Sequence, residues 1–483
     1  MKLLLALLLL TTPALAQTIQ NPGFERAQPT DPRLPQDWKV EARMGYAITL
    51  DSTVAKTGRR SLLIASLAQT PYSSGSVSQT CTVQLTQPTL VHLRGFVKTD
   101  HPAGVGVWWN SWRDGTHQGF THSSQQVTLQ QTDEWQALDL VLPSPPEINH
   151  FTFGASLQGP GKVWFDDLHF ELGSRQTEAP TAKAKAYLSR AIAIIKKHAL
   201  VRDSIPWPKT QAALLSYAQG LQTEAQTYPL ILYLLDQLRR HGDNHSFFMR
   251  PEAAKTLTAT SSLASEPQPQ ARYLGDGIGY IAVPGFSGIN ASRETAFASQ
   301  IQRLIGGLDS AQSVQSWVVD LRQNGGGNML PMIAGLGPLV GEGRLGSFVE
   351  GPHRTSWGYR HGASYVQKRG TRVNRPYTLR KASNRIAVLI GAGTGSSGEF
   401  TALSFIGRPD VRLFGQPSAG YLTGNADYTL SDGAMLFLAS TVAEDRLGHR
   451  HLQQLIPDEL IQPGSTTSDP TLEAARRWLL KSR

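Results

Sequence analysis

The stretch Gly395-Ser396-Ser397-Gly398-Glu399 stands between two contrasting segments. Before it, Ile386-Ala387-Val388-Leu389-Ile390 is an apolar run of strand character. After it, Phe400 to Phe405 has helical character. A serine at such a junction is exposed at the end of a buried element. The helix end beside it offers unpaired N–H groups and a partial positive charge. Both suit a serine that attacks a carbonyl, because negative charge then develops on the carbonyl oxygen. Ser396 and Ser397 are both candidates on this reading. Neither is the centre of a Gly-x-Ser-x-Gly elbow, which argues against an ordinary α/β-hydrolase.

Two further stretches carry residue types that could serve such a serine. Gly325-Gly326-Gly327 follows Trp317-Val318-Val319-Asp320-Leu321-Arg322, a buried strand by composition. Glycines there let a backbone N–H approach a substrate carbonyl without interference from a Cβ. Asp243-Asn244-His245-Ser246 lies where a helical pattern gives way to a loop.

The elements that must position these residues fall into three sections after an N-terminal signal. Lys2, the apolar run Leu3–Leu10 and the small-residue site Ala14-Leu15-Ala16 read as a secretory signal over residues 1–16, which leaves Gln17 as the first mature residue. The run is too short to span a membrane. Residues 17–172 alternate apolar and polar positions between Gly- and Pro-rich turns, the pattern of a β-sandwich. Residues 173–260 hold a polar linker and a helical section, with helices expected from Ala182 to Leu200 and across Gln211 to Arg240. Residues 261–483 alternate strand and helix patterns: strands at Gly277–Pro284, Trp317–Arg322 and Arg385–Ile390, and a helix from Ala296 to Leu308. That order predicts a mainly parallel sheet with covering helices.

The three motifs occur in one order: Asp243-Asn244-His245-Ser246, then Asp320-Leu321-Arg322-Gln323-Asn324-Gly325-Gly326-Gly327, then Thr394-Gly395-Ser396-Ser397-Gly398-Glu399. Together, over about residues 180–465, they resemble the tail-specific, or C-terminal processing, serine proteases. The resemblance implies an α/β core of crotonase/ClpP-like type that cleaves polypeptides through an acyl-enzyme, with no cofactor for catalysis. The family nucleophile stands three places before the motif's glutamate, which gives Ser396. Ser397 then supplies an oxyanion N–H, together with Gly326 or its neighbour Gly325. Glu399 caps or anchors the helix.

The base departs from the commonest family pattern. Many members place a lysine just after a turn that corresponds to Gly415–Gly420, and here Tyr421 follows. The tricorn-related branch uses a histidine, and His245 is the residue that matches it. Imidazole has the basicity to take the serine proton and return it to a leaving amine. Glu444 or Asp445, ahead of Ile456-Pro457-Asp458, would be the acid that orients the site, with Asp243 as a third option. The PDZ domain of many relatives has no room, since only about 25 residues separate Phe248 from Tyr273.

The N-terminal section has its own resemblance. Asn21-Pro22-Gly23-Phe24-Glu25, Gly58-Arg59-Arg60-Ser61-Leu62 and Trp164-Phe165-Asp166-Asp167 are similar to carbohydrate-binding jelly-roll modules. In such modules acidic groups near the first and last strands can hold a structural calcium. Trp164 is expected in the core, and either Trp108 or Trp109 on the surface, where an aromatic face could stack on a sugar.

The composition sets limits. Of 483 residues, 46 are Lys or Arg and 37 are Asp or Glu, a net charge of +9, but the basic residues are scattered. No basic run with interleaved aromatics points to nucleic acid. Cys81 is the only cysteine, so no intrachain disulfide forms and packing must stabilise the chain. The expected protein is an exported peptidase, periplasmic or extracellular, acting on polypeptides. Its rivals are an inactive peptide- or glycan-binding protein on the same fold, and a hydrolase of esters.

Overall fold

A computed structural model describes residues 19–42, 45–67, 74–101, 104–173, 176–257, 267–381, 385–462 and 469–481. The signal stretch and Gln17 lie outside the described residues. The chain divides into two compact units. One contains the chain up to Lys196 together with Val201–His241 and Leu430–Asp432; the other contains Lys197–Leu200, Gly242–Thr429 and the chain from Gly433 onward. The division at Gly242 lies ahead of the residue-260 boundary drawn from composition. The reason is pairing: Phe247–Met249 forms a strand against Met435–Phe437, which draws the Asp243–Ser246 loop into the second unit.

In the first unit, ten strands form two antiparallel five-stranded sheets. One has the order Lys39–Ala42, Ser74–Thr82, His150–Gln158, Val105–Arg113, Thr116–His122. The other has the order Tyr46–Asp51, Ser61–Ser66, Lys162–Leu172, Thr89–Thr99, Thr132–Ser144. Their inner faces share one core that includes Trp38, Val77, Trp109, Phe153 and Phe165. Burying each such side chain contributes about 1.5–3 kcal/mol, and no disulfide supplements it. Cys81 is buried in this core, and burial pushes its thiol up to about 12.

Period-2 alternation sorts the tryptophans. Trp109 is fully buried, stacked on Phe151 at 5.3 Å, while its neighbour Trp108 faces outward. Trp164 departs from the expectation that it lies in the core. Val163 and Phe165 take the inward positions, so Trp164 is half-buried on the other face, its Nε1 donating to Asp51 Oδ2 at 2.8 Å.

The acidic groups read as a calcium site have other partners. Asp166 accepts from the backbone N–H groups of Lys56, Thr57 and Asp167, and Glu25 Oε1 accepts from those of Arg59 and Arg60. These N–H groups anchor both carboxylates to the turn that carries Lys56, Thr57, Arg59 and Arg60.

The first unit also holds helices at Ala182–His198, Trp207–Tyr217 and Tyr228–Arg240. Pro208 sits in the first turn of the second helix, where its missing N–H costs nothing.

In the second unit, a six-stranded sheet has the order Gln270–Tyr273, Ile278–Ala282, Ser316–Asp320, Arg385–Ile390, Val411–Gly415, Glu459–Leu460. All its pairs are parallel except the first. Both faces are covered, which explains the unbroken apolar runs. Val319, Ile386 and Val388 pack with Ile301 and Ile305 of the helix Ala291–Ala311 and with Ile333 of the helix Met329–Val340. On the opposite face Val318, Ala387 and Leu389 pack with Leu472 and Leu479 of the helix Pro470–Leu480.

A second sheet, antiparallel, was not read from the sequence. Its order is Phe247–Met249, Met435–Asp445, Gly343–Glu350, His353–Arg360, Ala363–Val366, with Thr423–Thr429 and Arg450–His451 also paired to Met435–Asp445. A register shift between Gly424 and Asn425 interrupts the pairing of Thr423–Thr429. It lies beside the residues described next.

Candidate active site

The parallel strands Ser316–Asp320 and Arg385–Ile390 are neighbours in register, so the loops leaving their C-terminal ends emerge side by side. Two contacts lock these loops together. Thr394 Oγ1 donates to Leu321 O at 2.8 Å, and Gly395 N–H donates to Asn324 O at 2.9 Å. The charge pair beneath is also fixed: Arg322 binds Asp320 and reaches Asp469, the N-cap of the C-terminal helix.

Ser396 follows in a tight bend with φ 50° and ψ −120°. The helix Ser397–Leu403 starts at the next residue, so the Ser397 N–H has no acceptor within the helix. Glu399 is fully buried and accepts four hydrogen bonds. They come from Ser396 N–H at 2.6 Å, Ser418 O–H at 2.5 Å, Gly420 N–H at 2.9 Å and Tyr421 N–H at 2.8 Å. It joins the serine bend to the loop that ends in Tyr421. Burial pushes its carboxyl up from the ordinary value, against the pull of those donors.

His245 reaches the same point from the second sheet. Its Nε2 lies 2.9 Å from Ser396 Oγ. Its Nδ1 lies 2.7 Å from the main-chain carbonyl of Thr423, and 3.2 Å from the Thr423 hydroxyl. A carbonyl only accepts, so Nδ1 carries the proton and Nε2 is left as the acceptor for Ser396 O–H. Asn425 Nδ2 donates to His245 O at 3.0 Å, and the Tyr421 ring stacks on the imidazole at 5.4 Å. Burial lowers the pKa of His245, with the Thr423 carbonyl and Asp243 pulling the other way. The imidazole is therefore neutral at neutral pH.

The acids expected to orient this histidine do not reach it. Glu444 pairs with Arg354 and Arg450, and Asp445 with His449 and His451. Asp243 accepts from His245 N–H, Ser246 N–H and Ser246 O–H, so it fixes the loop and not the ring. Glu444 faces Arg450 across the sheet and reaches Arg354, Asp445 is held by His449 and His451, and a main-chain carbonyl already fills the place of the acid beside His245.

The glycine run lies against the serine bend. A Cβ on Gly326, whose φ is +110°, would stand 2.9 Å from Ser396 Cβ and 3.1 Å from Ser397 N. The Gly326 N–H, however, donates to Asn324 Oδ1 at 3.1 Å. Gly325 is the neighbour whose Cβ direction is open. Ser397 Oγ donates to Gly327 O at 2.7 Å, which ties the helix start to the same run.

Four participants were not assigned roles from the sequence: Asn324, Tyr421, Thr423 and Asn425. Asn324 lies in the Asp320–Gly327 stretch, and its side chain also donates to Val283 O at 3.1 Å, so it braces three loops. Tyr421 occupies the place where the commonest family pattern has lysine, and its ring lies on His245 instead. Thr423 acts through its carbonyl, which any residue would supply.

Chemically, the site joins a hydroxyl, a neutral imidazole hydrogen-bonded to it, and a helix N-terminus at the same atom. That set suits acyl transfer. Residues 277–461 match the description "Peptidase family S41". The nisin-resistance protein of Lactococcus lactis subsp. lactis is 30% identical over 261 residues, which are 54% of this chain and 77% of that protein. Among solved structures, a lipoprotein from Streptococcus agalactiae superposes with a TM-score of 0.50 at 22% identity, covering 62% of this chain and 96% of that one.

Proposed function

The chain belongs to peptidase family S41, and from that membership we propose that it is an exported serine endopeptidase with a histidine base. The observation that carries the reading is the 2.9 Å separation of His245 Nε2 and Ser396 Oγ. Ser396 Oγ attacks the scissile carbonyl carbon as its proton passes to Nε2. The oxyanion that forms faces the Ser397 N–H and the glycine run, with Gly325 or Gly326 as the second donor. For Gly326 to serve, its amide must turn from Asn324 Oδ1. His245 then gives the proton to the leaving amine, and the C–N bond breaks. Water repeats the sequence on the acyl-enzyme, with His245 taking its proton, and releases the new carboxyl end. The Thr423 carbonyl holds the imidazole in the tautomer this requires.

The substrate is an extended polypeptide. Export is supported by the Lys2, Leu3–Leu10 and Ala14–Ala16 pattern. Among the described residues, no helix is long and apolar enough to cross a membrane. We read the first unit as a jelly roll and the second as a crotonase/ClpP-like core.

A fluorophosphonate probe tests the mechanism. Wild type should label at one serine, Ser396→Ala should not label, and His245→Ala should label at least 100-fold more slowly. Loss of labelling in Ser397→Ala instead would move the nucleophile by one residue. A wild type that neither labels nor cleaves unfolded casein would leave a binding protein on a peptidase fold.

A further inference from the structure

Arginines that are scattered in the sequence come together on one face of the antiparallel sheet of the second unit. Along His353–Arg360, Trp357 and Tyr359 point into the core, so Arg354, Ser356, Gly358 and Arg360 point away from it. Register carries that outward face across the sheet. Arg354 stands opposite Val349, Ser356 opposite Ser347, and Gly358 opposite Arg344. Ser347 in turn stands opposite Glu444, and Glu444 opposite Arg450. At the other side Arg360 stands opposite Ala363, which bridges to Arg372. Arg344, Arg354, Arg360, Arg372 and Arg450 are all exposed.

Among the described residues at these paired positions, Glu444 is the one acid. It is buried, with Arg354 Nε and Nη2 donating to it at 3.0 and 3.1 Å and Arg450 Nε at 3.2 Å. Arg354 starts two strands away, so its side chain lies along the sheet to arrive there. Glu444 thus holds two guanidinium groups in place. That contact leaves Nη1 of Arg354 and both terminal nitrogens of Arg450 for another acceptor. Arg344 is held by the Arg446 carbonyl at 2.8 Å. Glu342, at the end of the sheet, is taken by His361.

The face reaches the histidine of the active site. Thr423 stands opposite Val442, on the same side of the sheet as Glu444 two residues further on. Thr423 and Glu444 are therefore diagonal neighbours, about 7–8 Å apart. The Thr423 hydroxyl is 3.2 Å from His245 Nδ1. From Thr423 to Arg372 the face spans five strand spacings, about 24 Å, the length of about seven extended residues.

These features select an occupant. A cationic segment would be repelled, and an apolar one would strip water from guanidinium groups without replacing their hydrogen bonds. A carboxylate takes two parallel N–H bonds from each guanidinium fork. Phosphate would do the same, but the face is continuous with the site of peptide cleavage, and the molecule that arrives there is a polypeptide.

We propose that this arginine face is an exosite for acidic segments of the polypeptide substrate, so that the enzyme favours chains rich in Asp and Glu within about seven residues of the cleaved bond. The inference rests on the peptidase reading above. The test compares cleavage of unfolded, dephosphorylated casein with cleavage of the same casein after its carboxyl groups are converted to neutral amides. The wild type should cut the acidic form with a kcat/KM at least about 10-fold higher, and that ratio should fall towards one as salt rises to about 0.5 M. Arg360→Gln combined with Arg372→Gln should lose most of the ratio through KM, with the fluorophosphonate labelling rate unchanged. Arg360→Lys combined with Arg372→Lys keeps the charge and should retain part of it. A wild type that labels at Ser396 but cuts both caseins equally would overturn this inference and leave the peptidase reading standing, whereas a wild type that does not label would remove both. An undiminished ratio in the glutamine pair would also overturn it. So would binding to phosphatidylglycerol vesicles that the glutamine pair abolishes, with no difference between the caseins, since the face would then belong to a lipid surface.

Discussion

Replacing Glu399 with glutamine separates holding from proton transfer. The carboxylate accepts two donors on each oxygen: Ser396 N–H and Tyr421 N–H on Oε2, Ser418 O–H and Gly420 N–H on Oε1. Glutamine keeps one acceptor oxygen and adds an NH₂. If the NH₂ takes the place of Oε2, two backbone donors lose their acceptor. If it takes the place of Oε1, Ser418 can rotate its hydroxyl, and only Gly420 N–H is left unpaired. A buried unpaired donor costs about 1–3 kcal/mol, so the cheaper orientation lowers the unfolding free energy by about that much. The Gly420–Tyr421 loop then loosens, and with it the ring that stacks on His245. Acylation should fall about 10- to 100-fold, since each 1.4 kcal/mol is about tenfold in rate. The assay pairs urea unfolding with the rate of fluorophosphonate labelling. Burial raises the Glu399 carboxyl above its ordinary 4.5, so its contribution to stability is present below pH 4.5 and is lost as pH rises through the folded-state value. The glutamine variant should lack that slope. Unchanged stability and rate would refute the positioning role. A rate loss of about 10⁴ with unchanged stability would show Glu399 transferring the proton itself.

Other substitutions test the remaining contacts. Because burial lowers the His245 pKa, labelling should stay high as pH falls to 6.5 and decline only below it; a midpoint above 6.5 would contradict the buried, neutral imidazole. Glu444→Gln and Asp445→Asn should leave the labelling rate within about 2-fold, because their partners are Arg354, Arg450, His449 and His451; removing the acid of a working triad costs about 10⁴. Gly326→Ala should slow labelling by more than about 100-fold, as its Cβ would stand 2.7 Å from Gly395 O at a φ of +110°. A near-native rate in that variant would remove the glycine run from the oxyanion site.

Much of the nucleophile side was legible because strand, bend and helix each leave a pattern. Arg385–Ile390 forms the expected strand, and the helix begins at Ser397, three residues before the apolar stretch that suggested it. The helix read as Ala296–Leu308 runs over Ala291–Ala311, since the Asn290 side chain caps it by accepting from Arg293 N–H. The base side was legible only as a residue type. What holds His245 is a main-chain carbonyl beside a register shift, and neither has a sequence signature. Glu444 and Asp445 looked available although Arg450, His449 and His451 stand within six residues of them; a turn brings those partners back, and only Arg354 comes from afar in sequence. The same limit applied to the tryptophans: alternation set Trp108 and Trp109 on opposite faces, but the inner face was decided by the other sheet.

The backbone at Ser396 has a consequence for the history of the chain. Its φ of 50° with ψ of −120° belongs to a region that glycine enters without penalty and that costs other residues about 1–3 kcal/mol. A single replacement by glycine would relieve that strain and end turnover at once. A lineage that had given up catalysis for binding would therefore gain stability by losing its nucleophile. Ser396→Gly should therefore unfold at a higher denaturant concentration than wild type while it loses all fluorophosphonate labelling.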